Sequence, residues 1–420
     1  MSGERTCGSV IEQSAYNPKQ QIDVETYFLD SDCPIQTDRT LDLEEGNLDF
    51  WQEWIDAGTI IEWPEQDPVP DCVHRAKNEM VIPPFLLQIE EDEWRRVSRM
   101  VELHNRTLRK IGLAIYANTW RDEKERIRGI PTLYDLGFSK DEIAVLKMRP
   151  DINDFALLTR TDLMVTCEGL KRAETNTSQP GGSELVDLLE RMFKPNSLFA
   201  RNRNASVINA YVEGVFEFWD KYKLGITPQG ICILSGGYSL GTKFLIDALE
   251  KKGVKVYVDD TEAFSPPNAN KKAREEVANE YAERVRGNFI YEGGVLYWFE
   301  GKNRVRVDII LHEPRVDLQH FAALLDSPIM EAYRDGNIEI INPPKARVIG
   351  NKLIEALLYS ERLPQLMNDM GYPLTSEEIQ VAKELTIPTR VVDEGLIEEI
   401  EGRRDFDWRR VIVKDVGTEK

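Results

Sequence analysis

Residues 155–176 read FALLTRTDLMVTCEGLKRAETN. The runs FALLTRTDLMVT and LKRAETN flank Cys167, Glu168 and Gly169. A three-residue loop ending in glycine fits a hairpin whose last loop position is left-handed. A turn centred on Glu168 sets Asp162 opposite Glu174 and Arg160 opposite Asn176. Side chains alternate with period two, so all four project from one face. Two carboxylates and an amide oxygen suit a hard cation such as Mg²⁺. Carboxylates held this close repel unless a cation lies between them. Arg160 adds a positive charge for an anion bridged by that metal. Register decides the matter, because a one-residue slip or a bulge sends these side chains to opposite faces. The bland alternative is a solvated hairpin whose surface ion pairs are worth little.

Outward from the hairpin the chain alternates helical and extended patterns. Residues 91–116, EDEWRRVSRMVELHNRTLRKIGLAIY, place Trp94, Val97, Val101, Leu108 and Ile111 at helical spacing. His104 shares that face and reads as a satisfied core histidine rather than a ligand. Residues 183–193, SELVDLLERMF, read as a helix with Ser183 as N-cap. Residues 230–260, GICILSGGYSLGTKFLIDALEKKGVKVYVDD, give strand, glycine-rich turn, amphipathic helix and strand, the clearest βαβ unit in the chain. A second hairpin is expected over 288–311, then HEPRVDL, an extended IEIINPP, a helix from GNKLIEALL and a last strand, RRVIVKDVGTEK.

The length of 420 residues exceeds one ordinary core, so two or three subdomains are expected. The boundaries expected are an acidic, partly disordered region over 1–84 and a helix-plus-hairpin part over 85–200. A Rossmann-like part follows over 201–320, and a helical linker with the start of a lid over 321–420. The balance of 53 basic against 73 acidic residues, a net charge of −20, argues against general nucleic-acid binding. Five scattered cysteines with no CxxC point to free thiols in a reducing, cytoplasmic setting. The first twenty residues have no apolar signal core, and no run approaches the ~18 apolar residues of a membrane span.

Arg-x-Asp, eleven residues, then Glu-x-Asn resembles the magnesium motif of circularly permuted ATP-grasp ligases of the glutathionylspermidine synthase type. The order of the remaining blocks from about residue 85 onward is also similar. The resemblance implies an α/β fold of circularly permuted ATP-grasp type with a Rossmann-like pre-ATP-grasp subdomain. It implies Mg²⁺ held by Asp162, Glu174 and Asn176, and ATP phosphates reached by Lys352 and Lys414. Arg160 would steady the transferring phosphoryl group. The planar fork of Arg315 suits a substrate carboxylate or a phosphate, and equally a structural ion pair with Glu313 or Asp317. Such ligases join a small-molecule or peptide carboxylate to an amine through an acyl phosphate. One departure stands out. The family has a glycine-rich loop and a hinge strand after the second lysine, whereas only DVGTEK follows Lys414, as expected of a fragment or of a lost lid.

Competing motifs fit less well. SGGYSLGTK (235–243) is no Walker A loop, since Thr242 separates Gly241 from Lys243, and its glycine spacing misses the dinucleotide fingerprint. Cys232 reads as a small core residue, and no cysteine or serine sits in a nucleophile's setting. Two rivals to the ligase remain: a non-catalytic ATP-grasp relative acting as a binding subunit, and an NAD-linked oxidoreductase using the 230–260 unit. The acid, the amine and the oligomeric state are not written in the sequence.

Overall fold

The computed structural model describes residues 91–151, 155–156, 158–166, 169–177, 206–236, 240–261, 263, 271–313 and 316–387. The expected helix over 183–193, the VIVK strand, and the side chains of Arg315 and Lys414 lie outside these residues. The described part is a mixed α/β structure with parallel and antiparallel sheets. The chain begins with α1 (Glu91–Thr119) and α2 (Lys140–Leu146), then the hairpin β1 (Arg160–Thr166) and β2 (Gly169–Asn176). Next come α3 (Val207–Tyr222), β3 (Gly230–Leu234), α4 (Leu240–Glu250), β4 (Lys255–Asp259) and α5 (Lys271–Arg286). Strands β5 (Phe289–Glu292), β6 (Val295–Glu300), β7 (Asn303–Val307) and β8 (Ile309–His312) lead to α6 (Leu318–Ala323) and α7 (Pro328–Arg334). The last elements are β9 (Glu339–Ile341), α8 (Ala346–Ile349), α9 (Leu353–Tyr359), α10 (Leu363–Asp369) and α11 (Ser376–Leu385).

The parallel sheet has the order β4-β3-β8-β9. All five residues of β3, GICIL, are buried, as befits a strand paired on both sides. The chain leaves β3 toward β4 on one side and β8 toward β9 on the other, so the topological switch point lies between β3 and β8. The stretch expected to be a second hairpin divides: β5, β6 and β7 form an antiparallel meander, and β8 leaves it for the parallel sheet. Gly230 marks the crossing, where a Cβ would lie 2.1 Å from the Arg306 carbonyl oxygen.

Helix α1 buries Val97, Leu108 and Ile111 as its spacing predicts, but Trp94 is 58% exposed. It precedes the first buried position, in a turn where periodicity does not guarantee a partner. His104 is fully buried, yet neither ring nitrogen has a hydrogen-bond partner, so it is core but not satisfied. Helix α11 begins with a capping box of Thr375 and Glu378 and docks on α1, where Lys110 donates to the buried Glu378 at 2.7 Å. The hairpin lies on this pair of helices. Leu163 packs with Met100 and Leu103 of α1 and Val381 and Leu385 of α11, while Leu170 packs with Val97. The opposite face carries Arg160, Asp162, Glu174 and Asn176 away from the loop and the exposed Met164 nearer to it. Among the described residues no helix is long and apolar enough to cross a membrane.

Candidate functional site

The register of the hairpin settles which side chains meet. Asp162 pairs with Glu174 and Arg160 with Asn176, as the sequence predicts. A bulge follows immediately, so that Leu163 pairs with Arg172. Gly169 is consequently not a loop residue but the first residue of β2, opposite Thr166. The first strand also starts later than expected, at Arg160, while Phe155 turns into the core. The bulge falls on the loop side of Asp162 and Glu174, which is why the two pairs survive it.

Side-chain contacts confirm the shared face. Arg160 spans Asp162, with Nε to Oδ1 at 2.8 Å and Nη2 to Oδ2 at 3.1 Å. Asn176 donates its amide nitrogen to Asp162 Oδ2 at 3.1 Å. Lys352, just before α9, donates to Glu174 Oε2 at 2.6 Å. Five of the seven residues singled out from sequence thus converge on one patch: Arg160, Asp162, Glu174, Asn176 and Lys352. The other two, Arg315 and Lys414, fall outside the described residues.

Segment 342–352 is the platform that brings Lys352 to the hairpin. The buried Asn342 side chain accepts from Leu158 N at 3.0 Å and donates to the carbonyls of Leu158 and Thr177, each at 2.7 Å. It therefore grips the hairpin where each strand leaves it. Thr177 Oγ1 donates to the Ala346 carbonyl at 2.6 Å. Gly350 allows this approach, because a Cβ there would lie 2.6 Å from Thr177 Oγ1. Asn351 anchors the next step by donating to the Leu136 carbonyl at 3.0 Å.

Sequence reasoning missed Arg172 and Glu355. Arg172 is almost fully buried, ion-paired with Glu355 of α9, and donates to Thr175 Oγ1 at 3.2 Å. Burial lowers its pKa to about 10, with the Glu174 carboxylate opposing the shift, so it stays charged near neutrality. Only the bulge turns Arg172 inward beside Thr175, and no local pattern announces that. The unpartnered His104 lies close enough for the Arg172 charge, after burial itself, to help hold its pKa well below the usual histidine range.

The residues present fit a hard divalent cation. Asp162 and Glu174 face each other across one strand pair, Asn176 carries an amide on the same face, and among the described residues of the hairpin there is no thiol or imidazole. Among the described residues no group of three or more His, Cys, Asp or Glu gathers, so any such set here is two carboxylates plus an amide. Arg160 and Lys352 add two cationic groups whose natural partners, besides these carboxylates, are phosphate oxygens.

Comparison with known proteins adds little to this geometry. No protein-family model matches the sequence, and no curated protein matches it. Among solved structures, a glutathione synthetase like-effector from Globodera pallida, in its apo form, is similar at a TM-score of 0.42 and 11% identity. The match covers 72% of this chain and 62% of that one, so the chain spans less than two thirds of its neighbour's length. A likeness at that level assigns neither a family nor a reaction.

Proposed function

We propose that this chain is an ATP-dependent carboxylate–amine ligase of the circularly permuted ATP-grasp type. The observation that carries the reading is the convergence of Asp162, Glu174, Asn176, Arg160 and Lys352 on one hairpin face, from segments far apart in sequence. Magnesium held by Asp162, Glu174 and Asn176 would neutralise charge on the β- and γ-phosphates of ATP. Lys352 clamps a phosphate by a charge-assisted hydrogen bond. Arg160, with its planar fork, steadies the phosphoryl group as it moves. The γ-phosphoryl group passes to a substrate carboxylate oxygen, and ADP leaves. An amine then attacks the acyl carbon and loses a proton, and the C–O bond to phosphate breaks. Positioning and electrostatics suffice for both steps, so no nucleophilic side chain is needed. In this proposal Arg315 holds a substrate carboxylate or a phosphate, and Lys414 supplies a second phosphate clamp.

Hydroxylamine tests the reading without knowledge of the amine, because it converts acyl phosphates to hydroxamates. The expected result is hydroxamate and phosphate release that require Mg²⁺-ATP and one member of a carboxylic acid panel, and that Arg160→Ala abolishes. Hydroxamate formed equally by Arg160→Ala, or by no acid in a broad panel, would contradict it.

A further inference from the structure

Lys352 holds one of the oxygens that a cation would need. Its Nζ lies 2.6 Å from Glu174 Oε2, and the two side chains are largely covered, at 14% and 21% exposure. An ammonium at that distance takes up carboxylate lone pairs and repels an arriving dication. Asp162 is engaged as well, by Arg160 across both of its oxygens. That pair is half exposed, at 46% and 36%, so water competes with it readily. Lys352 is the more protected partner and the stronger competitor.

Helix α9, which Lys352 immediately precedes, is fastened independently of that ammonium. Glu355, one turn on, is ion-paired with the buried Arg172 of β2, and Asn351 both donates to the Leu136 carbonyl and accepts from Leu353 N. The Lys352 side chain can therefore change partners while α9 stays docked on the hairpin.

A divalent cation alone has to displace the ammonium and then sit beside it. A phosphate chain alone has to draw Lys352 and Arg160 away, leaving two carboxylates facing its own negative charge. When both arrive, the cation compensates the carboxylates and the phosphates receive the two basic groups. We propose that Lys352 is an internal competitor for Glu174, so that the site captures a divalent cation and a phosphate chain jointly and binds either one poorly alone. This rests on the metal-and-phosphate reading of the hairpin and adds to it the coupling and the residue that enforces it.

Mn²⁺ is the probe for the cation, counted as free ion by electron paramagnetic resonance, and inorganic tripolyphosphate is the probe for the phosphate chain. The full chain should bind Mn²⁺ alone weakly, and Lys352→Met should bind it at least about tenfold more tightly, within the usual range of site-to-site coupling. By calorimetry the unaltered chain should bind preformed Mn²⁺–tripolyphosphate at least about tenfold more tightly than tripolyphosphate in chelator. Lys352→Met that gains no Mn²⁺ affinity, while the preformed complex still binds the unaltered chain, overturns the competitor role and leaves the ligase reading standing. Absence of binding by the preformed complex overturns that reading too. If Lys352→Met does not fold, the unaltered chain still decides: equal affinity for the complex and for each component overturns the proposal.

Discussion

Lys352, at the start of α9, donates its ammonium to Glu174 of β2 at 2.6 Å across 178 positions of sequence. The contact joins the hairpin to the segment that follows the parallel sheet. One position, Asn342, already ties that segment to both feet of the hairpin. The candidate site thus lies on paired strands braced by a second segment rather than on a loop tip, an arrangement suited to fixed geometry for charge recognition.

Arg160 separates stability from function. Its pair with Asp162 is half exposed, so Arg160→Ala should change the free energy of unfolding by no more than about 0.5 kcal/mol. The same substitution should weaken Mg²⁺-ATP binding by about tenfold or more, as loss of a charge-assisted phosphate contact would. Urea unfolding and calorimetry on one preparation check both halves.

His104 predicts an acid-sensitive fold. Burial, and then the Arg172 charge, hold its folded pKa well below the usual value, so the neutral ring is the folded form. The unfolded chain takes up a proton near pH 6.5, so stability is present above that pH and falls as pH drops through it. His104→Leu should reduce this dependence, leaving the share due to His312, whose pKa burial also holds below the usual value. It should also leave the protein as stable or more stable at pH 7.5, since two unpartnered ring nitrogens cost ~1–3 kcal/mol. Thermal melts from pH 8 to 5 give the comparison.

Arg149 and Glu339 form a buried pair at 3.1 Å that ties the segment after α2 to β9. Burial holds the Glu339 carboxyl above its usual range, with Arg149 and Lys223 partly offsetting it. Arg149→Met leaves that carboxylate to the more distant ammonium of Lys223, at 3.9 Å, and should cost about 3–5 kcal/mol. Glu339→Leu should cost less, because Arg149 keeps Asp151 at 2.7 Å. The double variant should recover most of the loss, and a double-mutant cycle by denaturant unfolding measures it.

Gly230→Ala should destabilise the chain by about 3 kcal/mol or more, because the atom met by the new methyl is a backbone oxygen that cannot rotate away. Failure to express in soluble form, or a large loss in urea midpoint, is the expected result.

The hairpin was legible because its alternation and two cross-strand pairs lie together on the side of the bulge away from the loop. The bulge itself was not, and it moved Gly169 from loop to strand and turned Arg172 inward. The β3–α4–β4 unit was legible from one continuous apolar strand and an amphipathic helix. The departure of β8 from the meander was not, since β7 (NRVRV) and β8 (IILH) are separated by Asp308 alone, with no glycine or proline to mark the boundary. Lys352 entered the site through a family resemblance, and its partner Glu174 could not be read locally. Asn342 and Glu355 act through contacts more than 160 positions away, which periodicity and spacing do not encode.

Calorimetric titration of the chain with Mg²⁺-ATP, beside Glu174→Gln and Asp162→Asn, tests the central claim most directly. The account predicts magnesium-dependent binding by the unaltered chain and a loss of about a hundredfold or more in each variant, both still folded by circular dichroism. Binding that both variants retain at full strength, or no binding by the unaltered chain, would contradict it.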